Sequence, residues 1–208
     1  KFSKHVLKSD YDSYGKYQSE WCILLQGPII TKNSFTLQTI LLYRYVYPNA
    51  RIILSTWKDE AKKLDKNKLH ELKVDVLLNA KPDYVGISNI NLQLVSTIAG
   101  INFASDQGVK YVLKTRTDQR VCKSLDFLGH MRNLQTNFPI SNDKMENRLI
   151  VASTNSFKSR LYGVTDMYMF GSISDMKLFW QIPTEQKSET LHEVKTDPVY
   201  FISNKQAE

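Results

Sequence analysis

The feature that most limits the fold is a repeated switch of hydrophobic period along the chain. Short continuous apolar runs give way to segments whose apolar residues recur every three or four positions. Trp21-Cys-Ile-Leu-Leu25 is the first such run and reads as a buried strand, closed by the turn Gln26-Gly27-Pro28. Asn33-Ser34 then opens a helix whose apolar positions Leu37, Ile40, Leu41 and Tyr45 share one face, and Pro48-Asn49 stops it. Residues 51–57 form a second strand, 58–73 a Lys/Asp/Glu-rich solvated helix with breaks, and 74–78 a third strand. Leu94, Ile98 and Ile101 mark a long helix, with Asn89 or Asn91 able to cap its start and Gly108 placed to end it. Residues 111–115 follow as a fourth strand. Beyond them come a helix marked by Leu125, Leu128, Met131 and Leu134, a strand at 149–153, a basic loop at 154–163, a strand at 167–170 and an amphipathic segment capped by Ser174-Asp175. This alternation predicts an α/β fold, a mainly parallel central sheet with helices on both faces, and ligands at the strands' carboxyl ends.

The 208 residues suffice for one such domain, expected over 21–208, with residues 1–20 a lead-in segment that packs through Tyr11, Tyr14 and Tyr17. The chain starts at Lys1 and ends on Gln-Ala-Glu, which fits a segment of a longer protein. At 42% hydrophobic and 24% charged, it has the composition of a packed globular protein and excludes a disordered or fibrous one. No apolar run approaches the roughly 18–20 residues of a spanning helix, and no secretory apolar region opens the chain, so a soluble segment is expected. Two cysteines, Cys22 and Cys122, are too few for a disulfide framework, compatible with the cytoplasm. A net charge of +7 points to an acidic partner: a nucleic acid, a nucleotide-sugar diphosphate or an anionic membrane surface.

Three strand ends carry candidate chemistry. At Gln26-Gly27-Pro28 the glycine lets backbone approach a ligand and Gln26 can read a base or ribose; the plain alternative is a tight turn, since no complete phosphate-binding loop accompanies it. At residues 114–120, Lys114, Arg116 and Arg120 surround Asp118. The cations suit a diphosphate, and Asp118 suits a divalent metal or a sugar hydroxyl, against the alternative of a surface salt-bridge cluster. At Val164-Thr-Asp166, one carboxylate enters an apolar run from a loop, where it can act as general base or merely cap a turn. Upstream, Asn155, Lys158 and Arg160 form a polar loop able to meet an acceptor or phosphate, by default solvated surface. The four histidines have no ligand spacing, and Met167 and Met169 read as core.

Taken together, ILLQGPI (23–29), RIILSTWKDE (51–60), GISNINLQLVSTIAG (86–100), KYVLKTRTDQR (110–120) and VTDMYMFGSISDM (164–176) resemble the WavE family of bacterial lipopolysaccharide and capsule biosynthesis proteins. The resemblance implies a glycosyltransferase of GT-A type, with a Rossmann-like nucleotide-binding half and a smaller acceptor-side region. In that fold a DxD element at the end of a central strand holds a metal and the donor diphosphate. Here the element reads Thr117-Asp118-Gln119, with one carboxylate, so a manganese or magnesium ion on Asp118 is implied only in part, and Lys114, Arg116 or Arg120 can offset phosphate charge instead. By the same resemblance Gln26, Gly27, Pro28, Ser55, Thr56 and Trp57 border the nucleotide, Trp57 stacking on the base. The helix start at Asn89 and Asn91 faces phosphate or sugar.

The function expected is transfer of a sugar from a nucleotide-diphosphate donor to an oligosaccharide or lipid-linked glycan at the cytoplasmic face of the membrane, with peripheral contact to anionic lipid. Asp166 activates the acceptor hydroxyl if the reaction inverts. Two rivals stay open: an inactive nucleotide-sugar or carbohydrate-binding domain of the same fold, and a nucleic-acid-binding domain suggested by Tyr43, Arg44 and Tyr45. The second is disfavoured because the lysines of 58–73 are interspersed with acids and no nucleic-acid-binding signature appears, so no nucleic-acid partner is expected.

Overall fold

The structure, a computed structural model, describes residues 18–121, 126–140, 144–154, 156 and 164–185. Within them run six strands: β1 (Trp21–Gln26), β2 (Arg51–Trp57), β3 (Val74–Asn79), β4 (Tyr111–Arg116), β5 (Ile150–Val151) and β6 (Tyr168–Ser172). The α-helices are α1 (Phe35–Val46), α2 (Lys66–Glu71), α3 (Ile90–Asp106), α4 (Phe127–Asn137) and α5 (Ile173–Trp180). The strands form one sheet in the order β3-β2-β1-β4-β6-β5, parallel from β3 to β4 and antiparallel beyond.

Continuous apolar runs become the central strands because both faces of the sheet are covered. On one face Ile23, Leu25, Ile52, Leu54 and Leu113 pack with Ile40 and Tyr43 of α1, Leu69 of α2 and Leu128 and Met131 of α4. On the other, Cys22, Leu24, Ile53 and Val112 pack with Leu94, Ile101 and Ala104 of α3 and Met176 and Trp180 of α5. Alternate residues of each strand feed opposite cores, as the two-residue period of a strand requires. Helix α3 lies close on β1 at Gly100, where a Cβ would fall 2.2 Å from Leu24 Cδ1. Buried Asp175 fastens the start of α5, accepting from the N–H groups of Glu146 and Asn147 and from the Ser172 hydroxyl.

Three local expectations shift. Strand β6 starts at Tyr168, which leaves Asp166 two residues before the ladder. Strand β5 is only Ile150–Val151, since its pairing with β6 covers those two residues. The charged stretch after β2 divides into a 3-10 helix, Lys58–Lys63, and α2, and it is not wholly solvated, because Glu60 is buried. Tyr11, Tyr14, Tyr17 and Cys122 lie outside the described residues.

Candidate functional site at the switch point of the sheet

The chain leaves β1 toward β2 and β3 on one side, then returns to lay β4 on the other. The loops after β1 and β4 therefore diverge from adjacent strand ends, the place where open α/β sheets hold ligands. The two loops are tied together here. Thr117 donates its N–H to Gln26 O at 3.0 Å and its hydroxyl to Pro28 O at 2.6 Å, while Gly27 N–H reaches Ser55 O on β2 at 3.1 Å. Gly27 has φ +121°, a conformation that L side chains rarely adopt. The Thr36 hydroxyl of α1 accepts from Ile30 N–H and donates to Thr117 O. Glu60 accepts from Ile29 N–H at 2.9 Å and is paired with Lys63 at 2.7 Å. The turn after β1 is thus fixed from four places: the loop after β4, β2, α1 and the 3-10 helix that follows β2.

Arg116, the last residue of β4, is the centre of charge. Its Nε and Nη2 donate to the two carboxylate oxygens of Asp118 at 2.9 and 2.7 Å, and its Nη1 donates to Asp166 Oδ2 at 3.0 Å. The three side chains are about one-third exposed, Arg116 34%, Asp118 41% and Asp166 32%, so solvent reaches the cluster. The Arg116 hydrogen bonds hold the Asp118 carboxyl below the ordinary carboxylate range. The two carboxylates in turn raise the guanidinium pKa still further. Asp166 Oδ1 has no hydrogen bond among the described residues. Arg116, Asp118 and Asp166 are brought together from the ends of two antiparallel strands, as a site needs.

Lys114 is not beside them in the open. Its side chain is fully buried, its Nζ donates to the Asp166 main-chain carbonyl, and the ammonium lies 4.9 Å from the centre of the Trp180 ring. Burial lowers its pKa to about 8, partly countered by Asp166. The expected donor cation is instead an internal one, because the Lys114 side chain leaves β4 on the face covered by Trp180 of α5.

Other residues named from the sequence have structural duties. Arg120 donates to Thr39 Oγ1 and Phe35 O and stacks over the Phe35 ring at 4.6 Å, which anchors the β4 loop to α1. Asn91 is buried, and its amide donates to Tyr84 O and Glu185 O while its oxygen accepts from Glu185 N–H, so it clamps two segments. Trp57 is 3% exposed, paired opposite Asn79 in the ladder, and offers no ring face to a base. Thr56 is buried with its hydroxyl unpartnered. Asn89, exposed, and Ser88 are both left-handed at the start of α3. Gln26 is buried and accepts from Ser96 Oγ at 2.9 Å. Asn155, Lys158 and Arg160 lie outside the described residues. Of the residues behind the nucleic-acid rival, Tyr43 is buried and the Arg44 guanidinium is committed to the carbonyls of Leu72, Pro48, Ala50 and Lys73.

Sequence reasoning missed Thr36, Glu60, Asn79 and Trp180. Asn79 Nδ2 donates to Ser55 Oγ and Thr56 O, and Ser55 donates to Ser96 O, extending the polar row begun by Gln26 across three strand ends. A polar residue at the last position of a strand was the available signal for Asn79; Glu60 gave none, being one acid among many charges.

For a divalent metal the described residues offer Asp118 as a lone carboxylate. Both Asp118 oxygens are occupied by one guanidinium, and among the described residues no group of three or more His, Cys, Asp or Glu is placed to hold a metal ion.

Fold and site together define an α/β protein whose charged cluster stands at the switch point of a mostly parallel sheet. The chain belongs to the WavE lipopolysaccharide synthesis family, whose family model matches residues 22–205. No curated protein matches it. Among solved structures it is similar to a cytidylyltransferase from Leptospira borgpetersenii serovar Hardjo-bovis (strain JB197), at 11% identity and a TM-score of 0.48, covering 90% of this chain and 73% of that one. It is also similar to a candidate UDP-N-acetylglucosamine pyrophosphorylase from Entamoeba histolytica, at 12% identity and a TM-score of 0.45, covering 84% of this chain and 64% of that one. Among the described residues no helix is long and apolar enough to cross a membrane.

Proposed function

We propose that this protein is a GT-A-type glycosyltransferase that moves a sugar from a nucleoside diphosphate donor to a hydroxyl of a glycan acceptor in lipopolysaccharide synthesis. The observation that carries the reading is the solvent-reached Arg116–Asp118–Asp166 cluster at the switch point, beside the turn after β1 that Thr117 ties to it. In the reaction the acceptor oxygen bonds to the anomeric carbon as the bond from that carbon to the diphosphate oxygen breaks. The electron pair of the broken bond leaves with the nucleoside diphosphate, and Arg116 neutralises it by exchanging carboxylate for phosphate oxygens. Asp166, which keeps Oδ1 uncommitted, accepts the hydroxyl proton if the reaction inverts. Asp118 orients the guanidinium, and Arg116 meets the phosphate charge. Nucleotide contacts come from the exposed end of the turn after β1 at Pro28 and the exposed start of α3 at Asn89. A lipid-linked acceptor would bring the protein to the inner face of the membrane.

The test is isothermal titration against nucleoside diphosphates and nucleotide sugars, with and without manganese and with chelator, followed by transfer assays on the donor that binds. Binding of one nucleotide class unaffected by chelator is expected. No affinity at millimolar nucleotide would overturn the reading, and affinity rising more than tenfold with manganese would return Asp118 to metal binding.

A further inference from the structure

Lys114 and Arg116 stand two apart on β4, so their side chains leave the same face of the sheet. Both end on one residue, Asp166: Lys114 on its main-chain carbonyl, Arg116 on its carboxylate. The β4–β6 ladder runs from Tyr111↔Ser172 to Thr115↔Tyr168 and stops there, so no strand pairing holds Asp166. The amide of the same peptide group, Met167 N–H, meets only the Thr165 hydroxyl among the described residues, at 3.3 Å. A fully buried ammonium is costly, and the Trp180 ring 4.9 Å away, one carbonyl and the nearby Asp166 and Asp118 charges offset only part of that cost. That cost brings no packing benefit that an apolar side chain would not match.

We propose that Lys114 is a positioning residue that fixes the Asp166 main chain beyond the end of the ladder, so that Arg116 and the acceptor meet its carboxylate in one place. Lys114 therefore acts on the acceptor step through Asp166 and makes no contact with the donor. This rests on the glycosyl-transfer reading for its kinetic consequence, whereas the clamp itself is a property of the folded chain and is tested separately.

The experiment compares the whole chain with its Lys114→Met and Arg116→Met variants by hydrogen exchange of peptides covering 164–170, alongside kinetics. Lys114→Met should speed exchange there by tenfold or more, and Arg116→Met, which leaves the carbonyl bond in place, should not. With a donor in hand, Lys114→Met should lower kcat by about 10²-fold, the cost of a misplacement near 1 Å, with donor KM within twofold of wild type. Unchanged exchange in Lys114→Met overturns the clamp whatever the kinetics, and so does a tenfold rise in donor KM with kcat unchanged, which would make Lys114 a donor cation. If the wild type transfers no sugar, the glycosyl-transfer reading fails and the exchange data still decide the clamp. A wild-type measurement guards against a variant that does not fold. In the 15N-lysine spectrum, Lys114 ammonium protons should exchange slowly and show contacts to the Met167 amide; their absence overturns the proposal.

Discussion

A Cβ built on Gly27 would stand 2.9 Å from Thr117 Oγ1, the same oxygen that donates to Pro28 O. The loops after β1 and β4 therefore close on each other with no room for a side chain. Gly27→Ala should lose about 1–3 kcal/mol of stability, from the left-handed backbone and the displaced hydroxyl together. Urea unfolding measures this, and a loss under about 0.5 kcal/mol would show that the turn relaxes at little cost. Nucleotide affinity should fall in parallel.

Arg116 offers five donors in a planar fork, and three of them are used on two carboxylates. Arg116→Lys keeps the charge but loses the fork, so it should raise the donor dissociation constant by about 10–100-fold, the worth of one charge-assisted hydrogen bond. Asp118→Ala should weaken donor binding by releasing the guanidinium while moving stability by less than about 1 kcal/mol, as expected of a solvent-reached pair. Titration and thermal unfolding of the two variants separate these effects.

Asp166→Asn keeps shape and removes the basic oxygen. Turnover should drop by about 10²–10⁴-fold with donor affinity nearly unchanged. Normal turnover would reduce Asp166 to a partner of Arg116, and loss of nucleotide binding would move it to the donor side.

Lys114 gives the protein a pH signature. Its pKa falls from 10.5 unfolded to about 8 folded, so between those values the unfolded chain holds more protons and stability rises with pH. Below pH 8 the buried ammonium exerts its full penalty, on the order of 3 kcal/mol. Chemical denaturation from pH 7 to 9.5 should show this rise in wild type and a flatter profile in Lys114→Met, which should also be the more stable at pH 7. Equal slopes would mean that Lys114 keeps its ordinary affinity for protons.

The framework was readable because each central strand is an unbroken apolar run, such as Trp21–Gln26, and α3 carries an apolar face from Leu94 to Ile101. Strand ends also placed Gln26, Gly27, Arg116 and Asp118 along one edge of the sheet. What periodicity could not supply was depth. Lys114 and Arg116 are equivalent in pattern, yet one reaches solvent and the other is covered by Trp180, a residue 66 positions later. Trp57 and Asn91 also read as ligand contacts, but packing against other segments consumed them. Glu60 was hidden the opposite way, a buried carboxylate in a stretch whose composition suggests water on all sides.

The strand order also dictates when the site can exist. Gln26 and Thr117 meet across 90 intervening residues, and β4 is the last of the four parallel strands to leave the ribosome. Until it inserts, β1 has one bare edge of unpaired amides flanked by Cys22, Ile23, Leu24 and Leu25. The loop-closure cost must be met before any contact of the cluster repays it. A nascent or truncated chain ending before β4 is thus both without Arg116 and open to strand pairing with another copy, so assembly of the site and protection from aggregation are completed by the same step.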